Sequence, residues 1–263
     1  MSNYPSPHYP PPGSVFSMSD IKAHEVKYSG YRDAEIAAYV ARPAQDGRYP
    51  GILVVHGIHG YEEHMRDIAR RLAALGYAAI VPALYSREEF LGVVEEEDFE
   101  KARKWLSNRT DDQTFGDLEQ AVSFLKAQPY VTSDRIGLVG FCSGGSAALL
   151  FACSTKSLSC FVNCYSSNLS RTTPTNPVSL LSRIKDLCCP MLALFGRDDK
   201  NPSQADVEQL HEELKNEGKT FEIVSYKNAG HAFFSDTRDT YRPEAANAAW
   251  GRMVEWFTNH LKP

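Results

Sequence analysis

The sequence lacks an excess of basic residues and any long apolar run. Its 263 residues carry a net charge of −5, and the 28 lysines and arginines are scattered along the chain. A phosphate-binding surface would require a basic excess or a basic stripe, so no nucleic-acid partner is predicted. No apolar run reaches the roughly eighteen residues that a membrane span needs, and no signal-peptide pattern opens the chain. We therefore expect a soluble, cytoplasmic protein with no membrane partner.

The cysteine spacings of a metal site or of a disulfide framework are also missing. All six cysteines lie in the second half of the chain: Cys142, Cys153, Cys160, Cys164, Cys188 and Cys189. The last two are adjacent, without the two-residue separation of a zinc half-site. A metal site at His56 and His59 would need a third ligand, and none stands at useful spacing. We expect reduced thiols, no metal and no cofactor.

Composition and pattern favour one globular domain. Hydrophobic residues make up 43% of the chain and charged residues 23%, which are ordinary values for a folded protein. Residues 1–20 are rich in proline and should form an extended arm, either loose or laid along the domain surface. In residues 21–263, two entry strands precede apolar runs that alternate with helical patterns. This alternation predicts a single α/β domain with a doubly wound, mostly parallel sheet flanked by helices. Within it, residues 86–110 are a candidate lid.

Four loops that follow predicted strands carry reactive or glycine-rich chemistry. They read "HGIHGYEE", "GFCSGG", "GRDDKNP" and "NAGHAFF". Open parallel sheets bind ligands at the carboxyl ends of their strands, so we expect these loops to meet at one edge of the sheet. Their coincidence predicts a single site at that edge.

The run "GFCSG", residues 140–144, has the form Gly-x-nucleophile-x-Gly. In this pattern a sharp strand-to-helix turn exposes the central residue, and the flanking glycines let strand and helix approach each other. The spacing selects Cys142 over Ser143, since Ser143 has Phe141 two places before it. The N-terminus of the following helix favours the thiolate. The simpler alternative is a buried cysteine that only fills space.

An aspartate and His231 follow Cys142 in the chain order nucleophile, acid, histidine, which hydrolases of this architecture use. His231 would take and return the proton, and the aspartate would orient its imidazole. Asp198 and Asp199 are neighbours after the strand "MLALF", and only one of them can do this. Position in the loop favours Asp198. The alternatives are that the aspartate only caps a turn, and that His231 only forms hydrogen bonds at the end of a strand.

The loop "HGIHG" after the strand "ILVV" should supply half of an oxyanion hole. Gly57 would let the backbone approach the substrate, and the N–H of Ile58 would meet that of Ser143 at the developing oxyanion. Aromatic side chains near the predicted mouth are candidates for an apolar pocket, although such residues are more often core: Tyr61, Trp105, Phe141, Phe233 and Phe234.

These motifs resemble the dienelactone hydrolases (carboxymethylenebutenolidases) of the α/β-hydrolase superfamily. The similar segments cover most of the chain from about residue 20, and include "GDLEQAVSFLKAQPYVTSDRIGLVGFCSGG", "LALFGRDDKNPS" and "YKNAGHAFF". The resemblance implies the α/β-hydrolase fold. It also implies a triad of cysteine, aspartate and histidine, here Cys142, Asp198 and His231, that opens lactone rings through an acyl-cysteine.

Some positions differ from the family pattern. Family members carry a glutamate that helps to deprotonate the cysteine, and Gly57 stands at the matching position. The arginine and tyrosine that hold the substrate carboxylate in the family have only Lys101 and Arg103 as charged counterparts here. Ser235 stands in place of a further arginine, and Arg238 follows three residues later. These differences predict modest activity on dienelactone and better activity on activated or neutral esters.

The leading hypothesis is a hydrolase of a small-molecule ester or lactone, monomeric or homodimeric. Within enzymes, the alternative is a thioesterase or carboxylesterase with a larger acyl substrate. Outside enzymes, the alternative is a redox-sensing protein on the same fold, in which Cys142 is oxidised rather than acylated. A covalent acyl adduct would distinguish the hydrolases from the sensor.

Overall fold

Helices and strands follow one another through the described parts of the chain. The computed structural model describes residues 10–15, 17–87, 94, 98–172 and 176–262. The strands are β1 (Ile21–Ser29), β2 (Glu35–Pro43), β3 (Tyr49–Val55), β4 (Ala78–Pro82), β5 (Val131–Phe141), β6 (Cys160–Cys164), β7 (Met191–Gly196) and β8 (Phe221–Tyr226). The α-helices are α1 (Glu63–Ala74), α2 (Phe99–Asn108), α3 (Asp111–Lys126), α4 (Ser143–Ala152), α5 (Gln204–Asn216) and α6 (Pro243–Leu261). None of these helices is long and apolar enough to cross a membrane.

The strands join one eight-stranded sheet in the order β1-β2-β4-β3-β5-β6-β7-β8. β2 pairs antiparallel with both β1 and β4, and the remaining neighbours pair parallel. The predicted entry strands and the mostly parallel sheet of a single α/β domain are confirmed. Because parallel strands end at the same edge, the loops after β3, β5, β7 and β8 lie side by side there.

The central strands are buried on both faces, which explains their unbroken apolar sequences. Leu53 in β3, Leu138 in β5 and Leu194 in β7 are each 0% exposed. The helices pack closely on the sheet: a Cβ on Gly137 of β5 would lie 3.0 Å from the ring of Phe257 in α6. The main hydrophobic core therefore holds the ends of the strands in place.

β5 begins earlier than its apolar pattern predicts, at Val131 rather than Arg135. Its first residues pair with Tyr49 and Pro50 of β3 before the register shifts. Polar side chains occupy much of this extension, so no hydrophobic run marked it in the sequence.

The described part of the predicted arm lies along the domain. The carbonyl of Pro12 accepts a hydrogen bond from the guanidinium of Arg71, 3.3 Å away. A Cβ on Gly13 would lie 2.6 Å from the ring of Trp250, so the arm runs directly over that indole. Residues 1–9 and 16 fall outside the described residues, and the boundary at residue 20 stays a prediction. Residues 88–93 and 95–97 of the candidate lid also fall outside, and α2 belongs to the described remainder.

None of the six cysteines forms a disulfide in this structure. Cys188 is exposed and Cys142 is partly exposed, whereas the other four are buried. Burial raises the pKa of Cys153 and of Cys189 to about 12. A thiol that stays protonated is a poor nucleophile, so these buried cysteines serve packing rather than chemistry.

Candidate active site

Cys142 stands at the turn between β5 and α4. Its backbone torsions are φ 56° and ψ −125°, a region that a residue with a Cβ occupies only under strain. The turn places its side chain in the cavity at the edge of the sheet, which Cys142 helps to line. The predicted strand-to-helix turn with an accessible central cysteine is confirmed.

Two glycines make this turn sterically feasible. A Cβ on Gly144 would lie 2.2 Å from the carbonyl oxygen of His56, and a Cβ on Gly140 would lie 2.5 Å from that of Gly144. Both distances are shorter than any carbon–oxygen contact allows, so only glycine lets α4 begin against β3 and β5. The Gly-x-Cys-x-Gly pattern of the sequence has this steric origin.

His231 bridges the thiol and a buried carboxylate. Its Nε2 lies 3.0 Å from Sγ of Cys142, and its Nδ1 lies 2.8 Å from Oδ2 of Asp199. Tyr165 packs against the imidazole at a steep angle, with the ring centroids 5.4 Å apart. These contacts hold the imidazole between the sulfur and the carboxylate.

The carboxylate belongs to Asp199, so the prediction of Asp198 is wrong. The Asp199 side chain is 1% exposed, whereas Asp198 is exposed. The N–H of Asp198 binds the carbonyl of Ala229 at 2.9 Å, and the turn that follows directs the next side chain inward. The other oxygen of Asp199, Oδ1, accepts a hydrogen bond of 2.9 Å from the N–H of Asn201. Both carboxylate oxygens of Asp199 therefore have partners.

The surroundings favour an ion pair between Cys142 and His231. Burial of the sulfur opposes its ionisation, but the hydrogen bond and charge of His231, together with two backbone N–H groups, outweigh burial and lower the pKa of the Cys142 thiol. Burial alone would lower the pKa of His231, but the bonds to Asp199 and Cys142 raise it to about 10. Both shifts favour a thiolate beside an imidazolium.

The two backbone N–H groups belong to Ile58 and Ser143, which the sequence predicts as oxyanion donors. Both N–H groups help to lower the pKa of the Cys142 thiol. Ile58 lies in the loop after β3, and Ser143 is the first residue of α4. Both residues line the same end of the cavity as Cys142.

Both ring nitrogens of His56 are hydrogen-bonded to the backbone. Its Nδ1–H donates to the carbonyl of Gly57 at 2.8 Å, and its Nε2 accepts from the N–H of Leu84 at 3.0 Å. Burial lowers the pKa of His56 to about 4, so the ring is neutral and neither nitrogen is left to bind a metal. The ring of His59 packs edge-on against Phe99. Among the described residues, no group of three or more His, Cys, Asp or Glu side chains is placed to hold a metal ion.

The site opens into a cavity of about 990 Å³. Ile58, Cys142, Ser143 and His231 line its reactive end. The charged side chains in its lining are Arg103, Lys104, Arg109, Arg171 and Lys200 on the basic side, and Glu100, Asp111, Asp198 and Asp199 on the acidic side. Three of the carboxylates already face cations: Glu100 faces Arg103, Asp111 faces Arg183 and Asp199 faces His231. Positive charge therefore prevails among the groups left for a ligand.

Of the predicted pocket residues, Arg103 lines this cavity. Phe141 and Phe233 do not, because both are buried in the main core at 2% and 0% exposure. Gly57 lies behind the nucleophile, where a Cβ would come within 3.2 Å of the Cys142 Cβ. It shapes the site without facing the cavity.

The other three predictions for the pocket are also wrong. Tyr61 is buried and its hydroxyl donates to Glu25. Arg238 binds Glu62 at 2.7 Å, and Lys101 binds Asp98 at 2.8 Å. In each case a neighbouring carboxylate holds the polar group away from the cavity lining. Phe234, at 1% exposure, is core as well.

Sequence reasoning missed Arg109, which lines the cavity from the end of α2. Its guanidinium lies over the ring of Trp105, 5.2 Å from the centroid. Within the described residues, no carboxylate forms an ion pair with it. Arg171 and Lys200 were missed as well, since both lie on loops whose path no motif fixes. In the sequence, the one signal for Arg109 was that it directly follows a helix that contains aromatic residues.

The sequence is similar to proteins of one known family. Residues 36–261 match the model of the dienelactone hydrolase family. A protein of Methylorubrum extorquens, provisionally named carboxymethylenebutenolidase, is 36% identical over 241 residues, covering 90% of this chain and 81% of the relative. A Bradyrhizobium protein, provisionally named 2-oxo-3-(5-oxofuran-2-ylidene)propanoate lactonase, is 32% identical over 225 residues, covering 85% and 89%.

A solved structure agrees with these matches. The crystal structure of a protein from Klebsiella pneumoniae, provisionally named dienelactone hydrolase, superposes with a TM-score of 0.84 at 34% identity. The match covers 90% of this chain and 98% of the other.

Proposed function

The chain belongs to the dienelactone hydrolase family, and we propose that it hydrolyses a lactone or ester through a covalent acyl-Cys142 intermediate. One observation carries the proposal: Nε2 of His231 is 3.0 Å from the Cys142 sulfur while its Nδ1 is 2.8 Å from Asp199. This is the hydrogen-bonded order of nucleophile, base and orienting acid that covalent hydrolysis requires. The proposed acid is Asp199.

The first half of the cycle forms the acyl-enzyme. The thiolate of Cys142 attacks the carbonyl carbon, and the carbonyl oxygen takes the negative charge. Ile58 and Ser143 offer their N–H groups to that oxygen, a contribution of about 10² to 10³ in rate for each donor. The tetrahedral species then collapses, and His231 gives its proton to the departing alkoxide oxygen. In a lactone, this step opens the ring.

The second half releases the product. Neutral His231 takes a proton from water as the water oxygen attacks the thioester carbonyl. Collapse of this second tetrahedral species breaks the carbon–sulfur bond and leaves a carboxylic acid, which loses its proton at neutral pH. Cys142 returns as the thiolate and His231 as the imidazolium. Asp199 orients the imidazole throughout and stays ionised.

Activation of Cys142 in this scheme needs no additional carboxylate. Gly57 occupies the place of the family glutamate, and a Cβ there would already crowd the Cβ of Cys142 and the carbonyl oxygen of Phe141 at 3.2 Å. His231 and the N–H groups of Ile58 and Ser143 supply the stabilisation of the thiolate instead.

The substrate proposed here carries a carboxylate. The cationic excess of the cavity lining supports this, in particular Arg109, whose guanidinium carbon lies 5.2 Å from the Trp105 ring centroid. A guanidinium offers its N–H groups in a fork geometry that matches the two oxygens of a carboxylate. The lining thus favours an anionic substrate, in contrast to the neutral esters that the Gly57 position predicts. Comparing a carboxylate-bearing lactone with a neutral lactone decides between the two.

The volume of the cavity supports a second candidate, a larger acyl ester or thioester. About 990 Å³ is at the upper end of the range for drug-sized ligands, well beyond what one small lactone fills. Rates on a long-chain thioester and on a small lactone, measured at equal concentration, separate the candidates.

The covalent step is tested with p-nitrophenyl acetate. We expect a burst of nitrophenolate and a mass increase of one acetyl group, both lost in Cys142→Ala. The control is Cys188→Ala, because Cys188 is the exposed cysteine and its removal leaves the burst intact. A burst that survives in Cys142→Ala, or an acetyl group found on Cys188, would overturn the proposal.

A further inference from the structure

The loop that carries the proposed Ile58 oxyanion donor is held by His56 and Tyr85, and Trp105 links Tyr85 to Arg109. The first contact is from His56, which binds the carbonyl oxygen of Gly57 at 2.8 Å. That carbonyl and the N–H of Ile58 belong to the same planar peptide, so fixing one fixes the direction of the other. His56 is itself fixed at its second nitrogen by the N–H of Leu84.

Tyr85 fixes the next peptide of the loop. Its hydroxyl donates to the carbonyl of Ile58 at 3.1 Å, and its ring centroid lies 5.0 Å from that of His56. The two peptides on either side of the Ile58 Cα are thus held by neighbouring groups, the ring of His56 and the hydroxyl of Tyr85. The direction in which the Ile58 N–H points towards the reacting oxygen therefore depends on the position of the Tyr85 ring.

Trp105 connects Tyr85 to the cationic wall of the cavity. Its ring meets that of Tyr85 edge-on, with centroids 4.6 Å apart, and the guanidinium of Arg109 lies 5.2 Å from the Trp105 ring centroid. Tyr85 belongs to a small hydrophobic cluster with Val94 and Ala102, against which Trp105 packs. This cluster is separate from the main core.

We propose that Tyr85 and Trp105 are positioning residues that couple anion binding at Arg109 to the alignment of the Ile58 oxyanion donor. A substrate carboxylate that binds Arg109 fixes the position of the Trp105 ring. The Trp105 ring in turn fixes the position of Tyr85, and Tyr85 fixes the orientation of the Ile58 peptide. The substrate's charge then contributes to the rate of the chemical step as well as to binding. This inference rests on the proposed function, because Ile58 acts only if an oxyanion forms beside Cys142.

The test is a double-mutant cycle with Tyr85→Phe and Arg109→Leu, read on two esters. One is p-nitrophenyl hydrogen succinate, which carries a carboxylate, and the other is neutral p-nitrophenyl butyrate. Tyr85→Phe keeps the ring in place and removes only the hydroxyl. Tyr77→Phe is the matched control, since Tyr77 is a fully buried tyrosine whose hydroxyl faces Thr258, far along the sheet.

We expect Arg109→Leu to lower kcat on the anionic ester by about tenfold, a fraction of the value of one oxyanion donor, and to leave kcat on the neutral ester within about twofold. In the Tyr85→Phe background, Arg109→Leu should raise KM for the anionic ester and leave kcat unchanged. Tyr77→Phe should behave as the wild type. These outcomes mark positioning, because a purely structural loss would affect both esters alike.

Two results would overturn the coupling. One is an Arg109→Leu protein whose KM alone changes, and the other is a pair of kcat effects that simply multiply in the double variant. Trp105→Phe, which keeps an aromatic ring, should show an intermediate loss and guards against a Tyr85→Phe protein that folds poorly. Absence of a Cys142-dependent burst on either ester would count against the hydrolase itself, whereas turnover with independent effects counts against the coupling alone.

Discussion

The two walls of the cavity are built in different ways. The reactive wall consists of Cys142, Asp199 and His231, which follow β5, β7 and β8 directly. The apolar part of β5 and all of β7 are buried in the main core, and β8 packs partly buried against it. The cap wall consists of residues of α2, and α2 contributes Ala102 to the separate cluster that also contains Tyr85 and Val94.

In the proposed function, the reactive wall therefore carries the chemistry and the cap wall carries the recognition of the substrate. Displacing a residue of the reactive wall means moving a strand of the sheet, which costs core packing. The cap wall can change its side chains with little effect on the sheet. The same reactive wall can therefore serve different substrates as the cap wall varies, which agrees with functional sites being carried on loops around a fixed scaffold.

The largest expected effect tests the reactive wall at the aspartate. Asp199→Asn should lower kcat/KM by about 10³ or more, because the imidazole loses the partner that sets its tautomer. Asp198→Asn, the neighbouring control, should stay within about twofold of the wild type, because the Asp198 side chain is exposed at the cavity whereas Asp199 is the aspartate that binds His231. Steady-state kinetics on one ester checks both. Equal losses in the two variants would remove the distinction drawn here between the neighbouring aspartates.

The next prediction concerns stability and compares the main core with the separate cluster of Tyr85, Val94 and Ala102. Leu194→Ala removes a fully buried side chain from β7 and should lower the free energy of unfolding by about 2–5 kcal/mol. Leu106→Ala is the partner variant, because Leu106 is partly buried and packs on the cap cluster. It should cost less than about 1.5 kcal/mol in urea unfolding, since less apolar area is lost. Similar costs in both variants would mean that the two clusters unfold as one unit.

A third effect concerns the ionisation of the reactive wall. Because the pKa of the Cys142 thiol is lowered, its alkylation by iodoacetamide should stay fast below the pKa of about 8.5 of a free cysteine, and slow only as the pH falls further. His231→Asn removes a donor and a positive charge, so the inflection should move up by about one pH unit or more. The rate of adduct formation by mass spectrometry, from pH 5 to 10, measures both. An unmoved inflection would show that His231 does not stabilise the thiolate.

The same ionisations give a bell-shaped pH profile for turnover. Activity should rise as the pH passes the lowered pKa of Cys142, because the thiolate forms. It should fall again as the pH passes about 10, where His231 loses the proton that it gives to the leaving group. A kcat/KM profile on a base-stable ester checks the upper limb. Activity that keeps rising beyond this point would argue that water, and not His231, protonates the leaving group.

The smallest effect tests the packing of the backbone next to Cys142 in the reactive wall. Gly57→Ala adds a Cβ at 3.2 Å from both the Cys142 Cβ and the Phe141 carbonyl oxygen. Small shifts of these neighbours can relieve such crowding, so we expect a loss of about three- to tenfold in kcat, within the usual cost of overpacking. Gly251→Ala, at a site with nothing within 4 Å and no positive φ, adds a Cβ without crowding and should leave kcat unchanged.

The reactive wall could be predicted from sequence because local rules fix it. Glycine spacing alone placed Cys142 in a strand-to-helix turn, and chain order placed His231 beside it. Asp198 and Asp199 could not be told apart, since the choice depends on how one turn directs two successive side chains. That turn is fixed by a contact with Ala229, about thirty residues away in the chain.

The cap wall could not be predicted, and the reason is physical. Arg109 enters the site because α2 packs on Tyr85 through Trp105, and no periodicity specifies how a helix docks on a small cluster. Phe233 illustrates the opposite error: an aromatic residue close to His231 in the sequence suggests a pocket, yet the same apolar character buries it in the core. Likewise Arg238 has the right charge but is held by Glu62.

The resting environment of the sulfur has a consequence for the end of the proposed catalytic cycle. The backbone N–H groups of Ile58 and Ser143 lower the pKa of the Cys142 thiol before any substrate arrives. In the proposed cycle, the thiolate released from the acyl-enzyme would regain this stabilisation and compete with the new carboxylate for the same N–H groups. Two negative charges beside one pair of donors repel each other, so the proposed cycle predicts weak product inhibition by the acid.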